Sequence, residues 1–101
     1  MKIFEMKQTF GVVCGDGTRA LNFLNDEIFP LIESGQKIEL NFFGVRVLNS
    51  SFSNAFFGNL TRLKGKQVLD ILTVTGACDL VKSEVKSGLS YGIKQTQMQA
   101  A

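Results

Sequence analysis

An α/β fold is predicted for this chain by three observations. Segments whose apolar residues alternate, as in half-buried strands, take turns with segments whose apolar residues recur at three- and four-residue steps, as in amphipathic helices. Glycines punctuate the changes of period, at Gly35, Gly44, Gly65 and Gly76. The chain has 101 residues, 45% hydrophobic and 20% charged. That suits one domain over 1–101, and about two-thirds of the unfolded surface would be buried in it. The order β-β-α-β-α-β-α then packs helices on a sheet.

The elements follow in turn. Lys2 to Phe10 nearly alternates and reads as a strand, with Gly11-Val12-Val13-Cys14 as a second short one. Cys14-Gly15-Asp16-Gly17-Thr18 is a turn, and Asp16 or Thr18 is placed to cap a helix. Leu21, Leu24, Ile28, Leu31 and Ile32 form a helical stripe over Arg19 to Ser34. Pro30 should kink that helix, and Gly35 should end it in a left-handed conformation. Lys37 to Phe43 alternates as a central strand, with Ile38, Leu40 and Phe42 on one face. Phe52, Ala55, Phe56, Leu60 and Leu63 make a second helical stripe, with Ser50 or Ser51 as its cap. Val68 to Thr75 reads as a further strand. A third helix starts near Ala77 and runs through Leu80, Val81, Val85 and Leu89, and residues 95–101 are expected to be a frayed tail.

Composition excludes several chemistries. There is no histidine, so no Ser-His-Asp triad, Cys-His pair or histidine-containing zinc site is possible within the chain. Cys14 and Cys78 are the two cysteines, with no C-x-x-C pair, and two buried thiols are expected. The net charge of +2, from 11 basic and 9 acidic residues, is too balanced for a nucleic-acid footprint. The longest uncharged run, Val47 to Thr61, carries too many asparagines, serines and threonines for a membrane span. Glu5 interrupts the N-terminus where a signal peptide would be apolar. A soluble cytoplasmic protein without cofactor, membrane or nucleic-acid partner is expected.

Four constellations invite a functional reading. Gly15, Gly17, Thr18 and Arg19 open a helix after a strand, where main-chain amides can hold a nucleotide phosphate or other small anion. Asn49-Ser50-Ser51-Phe52 forms a strand-to-helix turn, where a serine is either a cap or a phosphoacceptor. The pairs Phe42-Phe43 and Phe56-Phe57 cannot each turn both rings to one core. One ring of each pair then packs under another element or lies on a partner-facing or dimer surface. Arg62-x-Lys64-x-Lys66 suits a helix C-terminus. No convergent acid, base and nucleophile is visible, so enzymatic activity is not expected.

Gly35-Gln36-Lys37-Ile38-Glu39-Leu40-Asn41-Phe42-Phe43-Gly44-Val45, followed by Ser50-Ser51-Phe52-Ser53-Asn54-Ala55-Phe56-Phe57-Gly58, resembles the STAS-like family of small bacterial proteins. These are similar in turn to the STAS domains of sulphate transporters and anti-sigma factor antagonists. The resemblance spans about Gly17 to Leu89, and its most particular features are the Arg19 helix with Pro30-Leu31 and the Ser-Phe start of the second helix. It implies a four- to five-stranded mixed sheet with helices mainly on one face. It also implies a regulatory role: the helix start after the central strand docks a histidine-kinase-like ATPase, and serine phosphorylation there breaks the complex. Carried onto this chain, the docking residues are Asn49, Ser50, Ser51, Phe52, Ser53, Phe56 and Phe57. Ser50 matches the acceptor of the Asp-Ser-Ser-Gly motif, and Ser51 matches the serine of the Ser-Phe motif. The chain departs from the antagonist pattern at Asn41 and Asn49, where aspartates stand, and at Phe52, where glycine stands. Two other readings remain beside this one: an anion or nucleotide at the Gly15–Thr18 turn, and a homo-oligomeric module.

Overall fold

The computed structural model describes the main chain of residues 1–100 and the side chains of residues 1–95. Strand β1 (Lys2–Glu5) passes straight into helix α1 (Met6–Phe10), and β2 (Val13–Cys14) follows. Helix α2 (Gly17–Phe23) continues through a π-helical segment (Leu24–Ile28) into α3 (Phe29–Glu33). After β3 (Ile38–Asn41) and β4 (Val47–Leu48), a second composite helix runs as α4 (Ser50–Ser53), a π-helical segment (Asn54–Gly58) and α5 (Asn59–Lys64). The chain closes with α6 (Val68–Ile71), β5 (Leu72–Thr75) and α7 (Asp79–Ala100). The tail expected over 95–101 falls largely on this last helix, whose side chains from residue 96 onward lie outside the described residues, as does Ala101.

The expected single mixed sheet is corrected to two separate parallel sheets. One has three strands in the order β1-β3-β5, and the other pairs β2 with β4. Five strands are present among the described residues, and every described pairing is parallel. The two faces of the larger sheet differ in burial. On one face Phe4, Leu40 and Val74 share a register position, with buried Ile38 one pleat away. The opposite face carries Glu39 and Thr75, joined by a hydrogen bond of 3.1 Å, together with Ile3, Glu5, Asn41 and Thr73. Alternation along β3 therefore sorts core from open face, with Ile38, Leu40 and Phe42 all buried.

Two segments read as strand are instead helical. Met6–Phe10 turns away from the sheet because Met6 fills the core while Lys7 and Gln8 face water. Val68–Ile71 winds up directly after Gly65, whose positive φ of 74° ends α5. Gly35 terminates α3 as expected, with φ 82° and Gln36 N–H donating back to the Leu31 carbonyl at 2.9 Å. Pro30 does not break its helix. It sits in the first turn of α3, where its missing N–H costs least, and the preceding π-helical segment takes up the irregularity.

Phe4, Phe10, Phe23, Phe42, Phe52, Phe56 and Phe57 form one connected cluster. Phe52 stacks on Phe56 at 6.1 Å, Phe56 on Phe23 at 6.1 Å, and Phe57 meets Phe56 edge-on at 4.8 Å. Phe10 closes on Phe52 at 4.9 Å, nearly perpendicular. Phe56 and Phe57 are both fully buried because their segment is covered on two sides, by α2 and by α7. The Phe42-Phe43 pair splits instead, with Phe42 in the core and Phe43 76% exposed. Among the described residues, no helix is long and apolar enough to cross a membrane.

Candidate functional site

The two-stranded sheet brings the two sequence candidates together. β2 and β4 pair in register, Val13 with Val47 and Cys14 with Leu48. Each strand runs within two residues into a helix, so parallel pairing sets the starts of α2 and α4 side by side. Asn49 ties them. Its main-chain N–H donates to Cys14 O at 3.1 Å and its Nδ2 donates to Gly15 O at 3.1 Å. Its Oδ1 accepts the Phe52 N–H at 2.9 Å, which makes Asn49, and neither Ser50 nor Ser51, the cap of α4. Replacing Asn49 by alanine should therefore cost about 1 kcal/mol in a urea titration. Ser50→Ala and Ser51→Ala should each stay within about 0.5 kcal/mol of the parent.

Asp16 caps the other helix, accepting from Thr18 N–H at 3.0 Å and Arg19 N–H at 3.2 Å. Between the two starts lies an open groove lined by Gly15, Asp16, Gly17, Thr18, Leu21, Ser51 and Ala55. Gly17 is a packing requirement here. A Cβ at this position would stand 2.8 Å from Ser51 Oγ and 3.1 Å from Ser51 O.

Of the anion-binding candidates Gly15, Gly17, Thr18 and Arg19, not all face the groove. The first three do line the groove, but the Asp16 carboxylate already occupies the Thr18 and Arg19 amides and would repel a second anion. Arg19 turns away: its Nη2 donates to Thr9 O at 2.9 Å, and its guanidinium lies 5.3 Å from the centre of the Phe10 ring. The docking set divides as well. Asn49, Ser50 and Ser51 are exposed, and among the described residues neither serine hydroxyl has a hydrogen-bond partner within the chain. Phe52, Ser53, Phe56 and Phe57 are fully buried, so they hold the helix in place and present nothing to a partner. The Ser53 hydroxyl donates to the Glu84 carbonyl of α7.

The apolar part of this face comes from residues that sequence reasoning passed over. Val13 and Val47, cross-strand neighbours, are 57% and 45% exposed on the ribbon that leads into both helix starts. The signal for them was the brevity of the strands: two-residue strands ending in a buried Cys14 and a buried Leu48 must turn the preceding valine outward.

The cysteines differ from each other, contrary to the expectation of two buried thiols. Cys14 is buried under the groove, and that burial pushes its thiol up to about 11, with the Arg19 charge pulling weakly the other way. Cys78 is exposed, its Sγ 3.8 Å from the Val45 and Arg46 carbonyl oxygens, and both thiols are free.

Parallel strands and helices, with an exposed strand-to-helix turn held against a second helix start, define a small α/β fold that presents a loop–helix face. The family model for the STAS-like domain of unknown function (DUF4325) matches residues 22–82, and the chain belongs to that family. The matched stretch contains the whole second composite helix and its Asn49-Ser50-Ser51 start. No curated protein and no solved structure was found to match the chain.

Proposed function

We propose that this protein is a non-enzymatic regulatory module that binds a protein partner through the face made by Asn49, Ser50 and Ser51 with Val13 and Val47. The observation that carries this reading is the division of labour at the start of α4. Asn49 does the capping, which leaves two exposed serine hydroxyls with no structural duty, beside an exposed valine pair. The partner proposed is a histidine-kinase-like ATPase, as the likeness to anti-sigma factor antagonists implies, and phosphorylation of Ser50 or Ser51 is the proposed switch.

The electrostatics support a switch at Ser51 in particular. Ser51 lines the same groove as Asp16, which is the one ionisable residue among the groove's described walls. A phosphate there adds roughly −1.5 to −2 charges next to that carboxylate. Like charges at close range change both the field of the face and the spacing of the two helix starts.

The test is capture of partners on tagged wild type, Ser51→Ala, Ser51→Glu and Val47→Lys, read by mass spectrometry that includes the Ser50–Ser51 peptide. Wild type and Ser51→Ala should retain an ATPase of the histidine-kinase type. Ser51→Glu and Val47→Lys should lose most of it, about tenfold or more in affinity. Equal retention by all four proteins would remove this face from the reading.

A further inference from the structure

Strand β3 lies on one side of β5, and among the described residues no strand lies on the other. Phe42 N–H donates to Thr75 O at 2.8 Å. In a parallel ladder this fixes the alternation: Thr73 and Thr75 direct their main chain at β3, and Leu72 and Val74 direct theirs outward. The Leu72 N–H is used by the Val68 carbonyl. That leaves the Val74 N–H and C=O and the Leu72 C=O facing out.

Free edges are normally blunted by charge, proline or a bulge. The opposite edge of the sheet has such protection, since β1 begins with Lys2 and ends with Glu5. β5 reads Leu72-Thr73-Val74-Thr75 and has none. The strand is also self-complementary. An antiparallel pairing of two copies about Val74 sets Val74 against Val74, where each supplies the other's missing donor and acceptor. It sets Thr73 against Thr75, an uncharged β-branched pair. The Gly76 N–H then stands opposite the outward Leu72 carbonyl.

The flanks fit the same partner. Leu69, just before β5, is 52% exposed, and Leu80, just after it, is 70% exposed. Antiparallel pairing brings the N-terminal end of one β5 to the C-terminal end of the other. We infer that β5 is a dimerisation edge, through which two copies of this chain join their three-stranded sheets into one of six strands.

Sedimentation across two decades of concentration tests this on the full chain. Wild type should pass from the 11.1 kDa chain mass to twice that value. Val74→Pro removes the outward N–H and leaves the bonds to β3 intact, and should raise the dissociation constant about tenfold or more. Thr73→Lys alters an exposed position on β5 itself, sets a charge against the partner copy's Thr75, and should act in the same direction. Amide exchange at Val74 should be slow in the dimer and fast in either variant. A wild-type chain that stays monomeric throughout would overturn the inference. So would a dimer that persists unchanged in both variants, since another surface would then hold it. An edge that recruits only a foreign strand would appear as protection of Val74 in mixed samples while the chain alone stays monomeric, and this also overturns it.

Discussion

Truncation of Phe56 to alanine is expected to cost about 3–5 kcal/mol, the range for deleting a fully buried phenylalanine. The ring has no exposed surface and touches three others, stacked on Phe23 and Phe52 and edge-on to Phe57. Such aromatic pairs add about 0.5–1.5 kcal/mol each beyond the area they bury. A domain of this size is stable by roughly 5–15 kcal/mol, so the variant would lose about a fifth or more of its margin. Urea unfolding followed by circular dichroism measures this directly. Phe43→Ala is the matched comparison, because its ring is 76% exposed and its loss should stay within about 0.5 kcal/mol. A loss below about 1 kcal/mol for Phe56→Ala would mean that the cluster is not the core. The same pair of variants separates packing from docking. If Phe56→Ala releases a partner only in proportion to its unfolded fraction, the ring contributes to the fold and not to the interface.

The burial of Phe56 and Phe57 together marks where sequence reasoning stopped. A helical stripe read at three- and four-residue spacing shows one covered face, so the second of two adjacent rings either packs under another element or lies on a partner surface, and the spacing alone does not choose; here the first alternative holds. The second composite helix has more than one covered face, because both α2 and α7 pack against it. What announces that second layer is not hydrophobic. It is Gly88 and Gly92, four residues apart on α7, facing Ser53, Gly58 and Thr61. By contrast, β3 was legible residue by residue, since strict alternation over Ile38–Asn41 leaves one possible sorting into core and open face. Gly35 and Gly65 were legible as helix ends for a similar reason, since few residues other than glycine adopt their positive φ readily. The four-residue helix Val68–Ile71 was not legible, because one turn holds too little periodicity to tell helix from strand. At the candidate site the turn was correctly located but the cap was assigned to the serines. An asparagine one residue earlier satisfies the same N–H and also reaches across to Gly15, a contact that depends on the pairing of β2 with β4.

The seating of α7 supplies the other large expected effect. A Cβ at Gly92 would overlap Thr61 Oγ1 and the Gly58 carbonyl oxygen, and would meet Arg62 N at 3.0 Å. A Cβ at Gly88 would overlap Ser53 Oγ and stand 2.7 Å from Ser53 O. The helices approach this closely because the glycines allow it. The approach lets hydroxyls of one helix reach the main chain of the other, Thr61 Oγ1 lying 3.1 Å from Leu89 O. Gly92→Ala gains about 1 kcal/mol of helix propensity. Against this, the overlap with the Gly58 carbonyl oxygen puts overpacking at the upper end of about 1–3 kcal/mol, while the Thr61 hydroxyl keeps its 2.9 Å bond to the Phe57 carbonyl of its own helix. The net expectation is a loss of about 2 kcal/mol in urea unfolding. Ser90→Ala, exposed on the outer side of the same helix, should be neutral within about 0.5 kcal/mol. The decisive measurement is the double variant Thr61→Ala with Gly92→Ala. Removing the Thr61 side chain makes room for the new methyl group, so the two losses should fall short of additivity by about 1 kcal/mol or more. Strict additivity would mean that Gly92 and Thr61 do not meet. A seat for α7 that does not depend on its glycines would then have to explain how both Phe56 and Phe57 come to be buried.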